Sequence, residues 1–199
     1  AGGKSETMTG LMTQAHRRSA TDRHVTAIPP ALIIVVQNVM STAWRVLLED
    51  VRQGDFSICD TTEDQITERL QTILGELDAA GDSAVLGLTE FQTPVREGNV
   101  SNYDGTHVDK QPDLAFRPIR GRIPCRNTVP VAIFIECKPI DARQPLPSTY
   151  CCDGLIRFVN GDYAWGVDRA MMVGYVRNVC TLPGGLSTAL DAPRLSAQM

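Results

Sequence analysis

The sequence predicts an α/β domain in which helices flank a central sheet, and three observations carry that prediction. Two long stretches keep apolar residues at helical spacing; three later runs, 84–93, 112–119 and 130–138, are strand-like and separated by turn-rich segments; and helical patterning returns after Ser148. At 199 residues the chain reads as one domain over 29–182, long enough to bury a sizeable core.

Residues 1–28 are polar, without apolar periodicity, and read as a mobile N-terminal arm or a leftover of truncation or cloning. From Pro30, the positions Leu32, Val35, Val36, Val39, Ala43, Val46, Leu47 and Val51 mark one amphipathic helix that ends near Gly54. The second helix starts in "TTEDQ", where Thr61 or Thr62 can cap it and acidic residues suit the positive end of its dipole, and Gly81 closes it. Its buried stripe is Ile66, Leu70, Ile73, Leu74 and Leu77; steps of 100° bring Glu63 onto that stripe and turn Glu68 away. After the three strand-like runs, 148–159 reads as a third helix with Ser148 as its cap, and 168–178 as a fourth. The Gly/Pro/Ser-rich 183–199 is an irregular C-terminal tail.

The composition, 43% apolar and 21% charged with a net charge of -4, is that of a soluble globular protein without global attraction to nucleic acid or anionic membrane. A polyanion partner would need a local basic patch. Sixteen of the nineteen basic residues are arginine, which suits forked phosphate contacts, although a GC-rich genome is the simpler explanation. The six cysteines form no CxxC pair and no zinc spacing, which points to free thiols in a reducing cytoplasm. The oily run of 31–36 falls short of the roughly 20 residues a bilayer span needs, so it is assigned to the core and no membrane role is expected.

The chemistry concentrates in "IFIECKPID", 133–141. Strand alternation sets Val131, Ile133, Ile135 and Cys137 on one face and Ala132, Phe134, Glu136 and Lys138 on the other. The Cβ atoms of Glu136 and Lys138 then lie about 7 Å apart, too far for a tight pair but suited to flanking a small bound ion. Antiparallel pairing of 112–119 with 130–138 would set Asp113 beside Glu136, and two adjacent acids repel unless a cation joins them. Hard oxygen donors of this kind suit Mg²⁺ or Mn²⁺, and Lys138 could orient an attacking water for phosphodiester hydrolysis. Glu63 could supply the third carboxylate.

An acidic helix, then Pro112-Asp113, a hairpin and Glu136-Cys137-Lys138 resembles the PD-(D/E)XK nuclease superfamily over about residues 60–180. The resemblance implies a restriction-endonuclease-like core, a mixed sheet of about four strands in the order helix, three strands, helix, strand. It implies that Asp113 and Glu136 bind the metal, that Lys138 is the motif lysine, and that Glu63 matches the acid of the first core helix. The implied activity is Mg²⁺-dependent cleavage of nucleic acid, DNA more often than RNA, and 154–176 resembles members tied to restriction or phage defence. A homodimer or a larger defence assembly is compatible with it. The final strand is the weak point: 162–167 is the best candidate for it.

Each assignment has a plainer counterpart. Glu63 is also explained as a first-turn acid favoured by the helix dipole, with Asp64 or Glu68 as substitutes. Arg157 shares a helix face with Asp153 and Tyr150, so Arg157 and Tyr150 are candidates for phosphate binding, or Arg157 simply pairs with Asp153. Arg120 and Arg122, with Arg117 and Arg126, lie in the hairpin as candidate backbone-phosphate contacts or as an ordinary solvated loop. Trp44 and Trp165 are assigned to packing. The leading alternative to a nuclease is a catalytically silent module of the same fold that binds nucleic acid or a partner protein.

Overall fold

The computed structural model describes residues 26–96, 98, 110–123, 131–141, 143, 146–159 and 167–177. The predicted arm (up to residue 25), the tail and the strand candidate 162–166 lie outside them.

Helix α1, Pro30–Gln53, begins with proline in its first turn, where the missing N–H costs nothing, and ends at Gly54 in the left-handed conformation (φ 84°). Leu32, Val36, Val39, Met40, Ala43 and Leu47 form its buried stripe. By length and composition α1 is apolar enough to cross a membrane, but this stripe is packed into the core. Helix α2, Glu63–Ala80, starts with a capping box: Gln65 N–H donates to the Thr62 side chain, and Gln65 Oε1 accepts from Thr62 N. Its inward Ile66, Leu70, Ile73 and Leu74 pack in the same core as α1.

Among the described residues the sheet has three strands in the order β1-β2-β3, namely β1 Leu114–Phe116, β2 Ile133–Ile140 and β3 Met171–Val176. β1 pairs with β2 antiparallel (Leu114↔Ile135), and β2 pairs with β3 parallel (Glu136↔Met172, Lys138↔Gly174), so the sheet is mixed and β2 is its central strand. Every residue of β2 is buried. Ile133, Ile135 and Cys137 join the main core under α1 and α2, and Ala132 and Phe134 form a second cluster with Ala115 and Phe158. The two faces are divided as strand alternation predicts.

Two expected elements differ. The run 168–178 is not a fourth helix: Met171–Val176 is β3. A short run that is apolar almost throughout carries no period that separates strand from helix, and its pairing with β2 decides the matter. The run 84–93 is not a strand either. Gly81–Ser83 and Leu88–Glu90 are 3₁₀ turns, Gly87 sits at φ 87°, and only isolated bridges, Phe91↔Pro118 and Val95↔Ala115, link this region to β1. The buried Val85, Leu88 and Phe91 recur every third residue, the period of a 3₁₀ helix.

After β2 the chain forms a π-helix, Pro147–Leu155, continued by the short α3, Ile156–Val159. Ser148 does not cap it; the helix starts one residue earlier at Pro147 and has no side-chain cap. A Cβ on Gly154 would sit 2.5 Å from Met172 Cε and 3.4 Å from Lys138 Cγ, so the bare glycine lets the π-helix lie directly on the sheet. Trp44 stacks on Tyr175 with ring centroids 5.7 Å apart, which makes it the packing residue expected.

Candidate active site

β1 begins at Leu114, and Asp113, one residue earlier, is level with Glu136. There the Asp113 side chain takes over the pairing: Cys137 N–H donates to Asp113 Oδ2 at 2.6 Å. The predicted meeting of the two acids is therefore present, and the Pro-Asp step positions it, because the carboxylate replaces the backbone partner that β1 no longer offers.

Lys138 completes the centre. Its ammonium donates to Glu63 Oε1 at 2.7 Å and to the Cys137 carbonyl at 2.9 Å, and it lies 2.9 Å from Glu136 Oε1. Glu136 and Lys138 thus do form a tight pair, contrary to the spacing argument: the four-carbon stem of lysine reaches back along the strand by more than the Cβ separation requires. Glu63 arrives from the first turn of α2, as its place on the helical wheel predicts, while Asp64 and Glu68 face solvent and pair with Arg96 at 2.9 and 3.5 Å. Arg157, from α3, puts Nη1 3.1 Å from Glu136 Oε1, so the arginine that could have paired with Asp153 is turned to the site.

Glu136 is the most enclosed of these groups, with 2% of its side chain exposed. Its Oε1 is held by Lys138 and Arg157, but Oε2 is buried with no hydrogen-bond partner. Such an atom carries a desolvation penalty of about 1–3 kcal/mol or more. Burial, then repulsion from Asp113, pushes the Glu136 carboxyl above its ordinary range; burial also raises Asp113 and Glu63, against the Cys137 N–H and Lys138 respectively. Burial alone would lower Lys138, but Glu136 and Glu63 outweigh it and hold it charged above its ordinary value. In direct contact, three carboxylates meet two cations, and the nearby Arg96 is shared with Asp64 and Glu68.

The orphaned Glu136 Oε2 and the uncommitted second oxygen of Asp113 fit a hard divalent cation held by two carboxylates and water. Among the described residues no group of three or more His, Cys, Asp or Glu side chains is arranged to hold a metal ion, so a full protein cage is not what the geometry offers.

The other candidates make none of these contacts. Arg122 bonds Glu90 at 2.5 Å beside an open pocket of about 290 Å³ lined by Pro29, Ala31, Leu32 and Val35. Arg120 and Arg122 follow the end of β1 that points away from Asp113, because β1 runs from Leu114 toward the hairpin. The structure separates both from the acids, and Arg126 lies outside the described residues. Tyr150 is half-buried and packs with Ile140, Leu146 and Cys151, next to Gly174.

Two participants were not singled out from sequence. Arg177 Nη2 pairs with Asp141 at 2.9 Å, and its Nη1 donates to the Thr61 carbonyl at 2.9 Å, which ties the ends of β2 and β3 to the start of α2 and so holds Glu63 over Lys138. The matched charges just past each strand, Asp141 and Arg177, were the available signal. Arg96 reaches the start of α2 and lies close enough to stabilise the Asp113 carboxylate; nothing in its loop sequence announced it.

Comparison with protein-family models, with curated proteins and with solved structures finds no match to this chain.

Proposed function

We propose that this protein is a metal-dependent nuclease with its centre at Asp113, Glu136 and Lys138, and that its core is of the restriction-endonuclease-like kind that the PD…ExK pattern resembles. The observation that carries this reading is the buried, unpartnered Glu136 Oε2 beside Asp113 and within a lysine's reach. A lone buried acid in a plain core would neutralise or acquire a donor; here a second acid stands next to it.

Asp113 and Glu136 would hold Mg²⁺ or Mn²⁺. Bound there, the ion supplies compensation for the charge that builds on a phosphodiester under attack. Lys138 donates an N–H to the attacking water or to a phosphate oxygen, and its position between carboxylates keeps it an ammonium, a donor and positive charge rather than a base. Arg157, bonded to Glu136, brings a second positive charge to the centre that suits a backbone phosphate. DNA rather than RNA, a place in cytoplasmic restriction or phage defence, and a homodimeric or larger assembly rest on the resemblance.

Incubation with plasmid, single-stranded DNA and RNA in Mg²⁺ or Mn²⁺ tests the reading. Cleavage by the wild type that disappears in Glu136→Ala and Lys138→Ala is expected; cleavage that survives both places the activity elsewhere. A silent binding module is the second reading, and one observation favours it: three protein acceptors surround the Lys138 ammonium, matching its three N–H donors. Binding of nucleic acid without cleavage by any form would establish that reading instead.

A further inference from the structure

Lys138 has to be both held and available. An ammonium has three N–H donors, and here Glu63 Oε1, the Cys137 carbonyl and Glu136 Oε1 take them at 2.7, 2.9 and 2.9 Å. In this arrangement no donor is left for a substrate. The three acceptors are not equivalent. The Cys137 carbonyl belongs to the strand itself and cannot leave. Glu136 is shared with Arg157 and is one of the two acids that suit a cation. Glu63 makes the shortest contact, comes from a different element, and its helix start is fastened to the strand ends through Arg177 and Asp141.

Glu63, unlike Glu136, has no buried carboxylate oxygen left unpartnered. Its Oε1 is committed to Lys138, and among the described residues no three acids are grouped as a metal-holding set. We propose that Glu63 is a positioning residue: it anchors Lys138 when Glu136 is given over to the cation, so that one lysine N–H is released toward the substrate. A lysine stem is long and flexible, so an ammonium left with the Cys137 carbonyl alone would be poorly directed. This rests on the two-carboxylate site proposed above, and it reassigns Glu63 from metal binding to aiming the lysine.

Two measurements on the full chain separate the roles. The first is Mn²⁺ affinity, from water-proton relaxation, for wild type, Glu63→Gln, Glu63→Ala and Asp113→Asn. A positioning residue leaves the dissociation constant of both Glu63 variants within about threefold of wild type, whereas Asp113→Asn weakens it by about 10-fold to 100-fold. At saturating Mn²⁺ both Glu63 variants then lose turnover, and Glu63→Asp recovers part of it. The second is acetylation of lysines followed by peptide mass spectrometry. The chain has only Lys4, Lys110 and Lys138, so the first two serve as internal references. Lys138, 10% exposed, reacts slowly in the wild type and at least tenfold faster in Glu63→Ala, with the melting curves of Glu63→Ala and of the isosteric Glu63→Gln both showing an intact fold.

Mn²⁺ affinity that falls in Glu63→Gln as far as in Asp113→Asn overturns the proposal, and so does unchanged Lys138 labelling in Glu63→Ala. If the wild type binds no Mn²⁺, the two-carboxylate reading falls, and the labelling still decides by itself whether Glu63 holds the lysine.

Discussion

At one end of the sheet Lys138 meets Glu136 at 2.9 Å with 10% and 2% of their side chains exposed; at the other Arg122 meets Glu90 at 2.5 Å with 53% and 30% exposed. The distances are those of two good ion pairs. The surroundings are not comparable. At the hairpin end water can replace either partner, and a pair of that kind contributes about 0–1 kcal/mol. At the acid end each charge is answered by a specific atom or by none, so removing one group changes the state of the others. The hairpin arginines are candidate phosphate contacts or an ordinary solvated loop, and the exposed Arg122–Glu90 pair lies at the hairpin end. Basic residues are frequent there, but the enclosed end is where a few charges can do chemistry.

The largest expected effect lies at the enclosed end. Glu136→Gln or Asp113→Asn should lower nucleic-acid cleavage by on the order of 10²–10³-fold, a magnitude typical of losing one preorganised charge-stabilising group. Arg122→Ala, at the open end, should stay within about twofold of wild type in the same assay. Equal losses at both ends would erase the contrast and return the hairpin arginines to the substrate path.

Stability should follow the same order. Lys138→Ala leaves Glu136 and Glu63 facing each other without their ammonium and should cost about 3–5 kcal/mol in urea unfolding, against less than about 1 kcal/mol for Arg122→Ala. A comparable small loss for both would mean that the buried carboxylates simply take up protons.

Gly87→Ala probes the backbone instead of the charges. Gly87 sits at φ 87°, and a Cβ there would come within 2.8 Å of Val35 Cγ2, on a stiff β-branched side chain of α1. A loss of about 1–2 kcal/mol is expected from the left-handed conformation alone, read from the same urea curves.

The smallest effect concerns Asp82, whose Oδ1 accepts from Gly87 N, Thr89 N and Thr89 Oγ1. Those bonds, led by the Thr89 N–H, lower its pKa below the ordinary aspartate value. A depressed acid contributes stability above its unfolded pKa and loses it as pH falls through the folded one. Asp82→Asn should therefore lower the neutral plateau slightly and converge with the wild type at low pH, which flattens the acid limb of the stability profile.

Much of the enclosed end was legible in the sequence because local rules govern it. Period-2 alternation sorted Cys137 from Glu136, the Pro-Asp step positioned Asp113, and the helical wheel turned Glu63 inward. What depended on through-space contact was not legible. Met171–Val176 was read as a helix although Val173, Tyr175 and Val176 favour strands, because the run is apolar almost throughout and shows no polar alternation that would have declared it. The Arg157 contact to Glu136 could not be anticipated, since it exists only once the π-helix has descended onto the sheet over Gly154.

The parallel pairing of β2 with β3 has a further consequence, in time. Ile135 meets Met171 only after the chain has run on from 135 to 171, and the intervening stretch contains the π-helix that delivers Arg157. Contacts separated so far along the chain form late, because the loop between them must close first. Asp113 and Glu136 can find each other through the β1–β2 hairpin well before β3 arrives, but Arg177, which clamps α2 to the strand ends, follows β3 in the sequence. A nascent chain therefore carries its paired acids before it carries the clamp that holds Glu63 over Lys138, and the complete constellation belongs only to the finished fold.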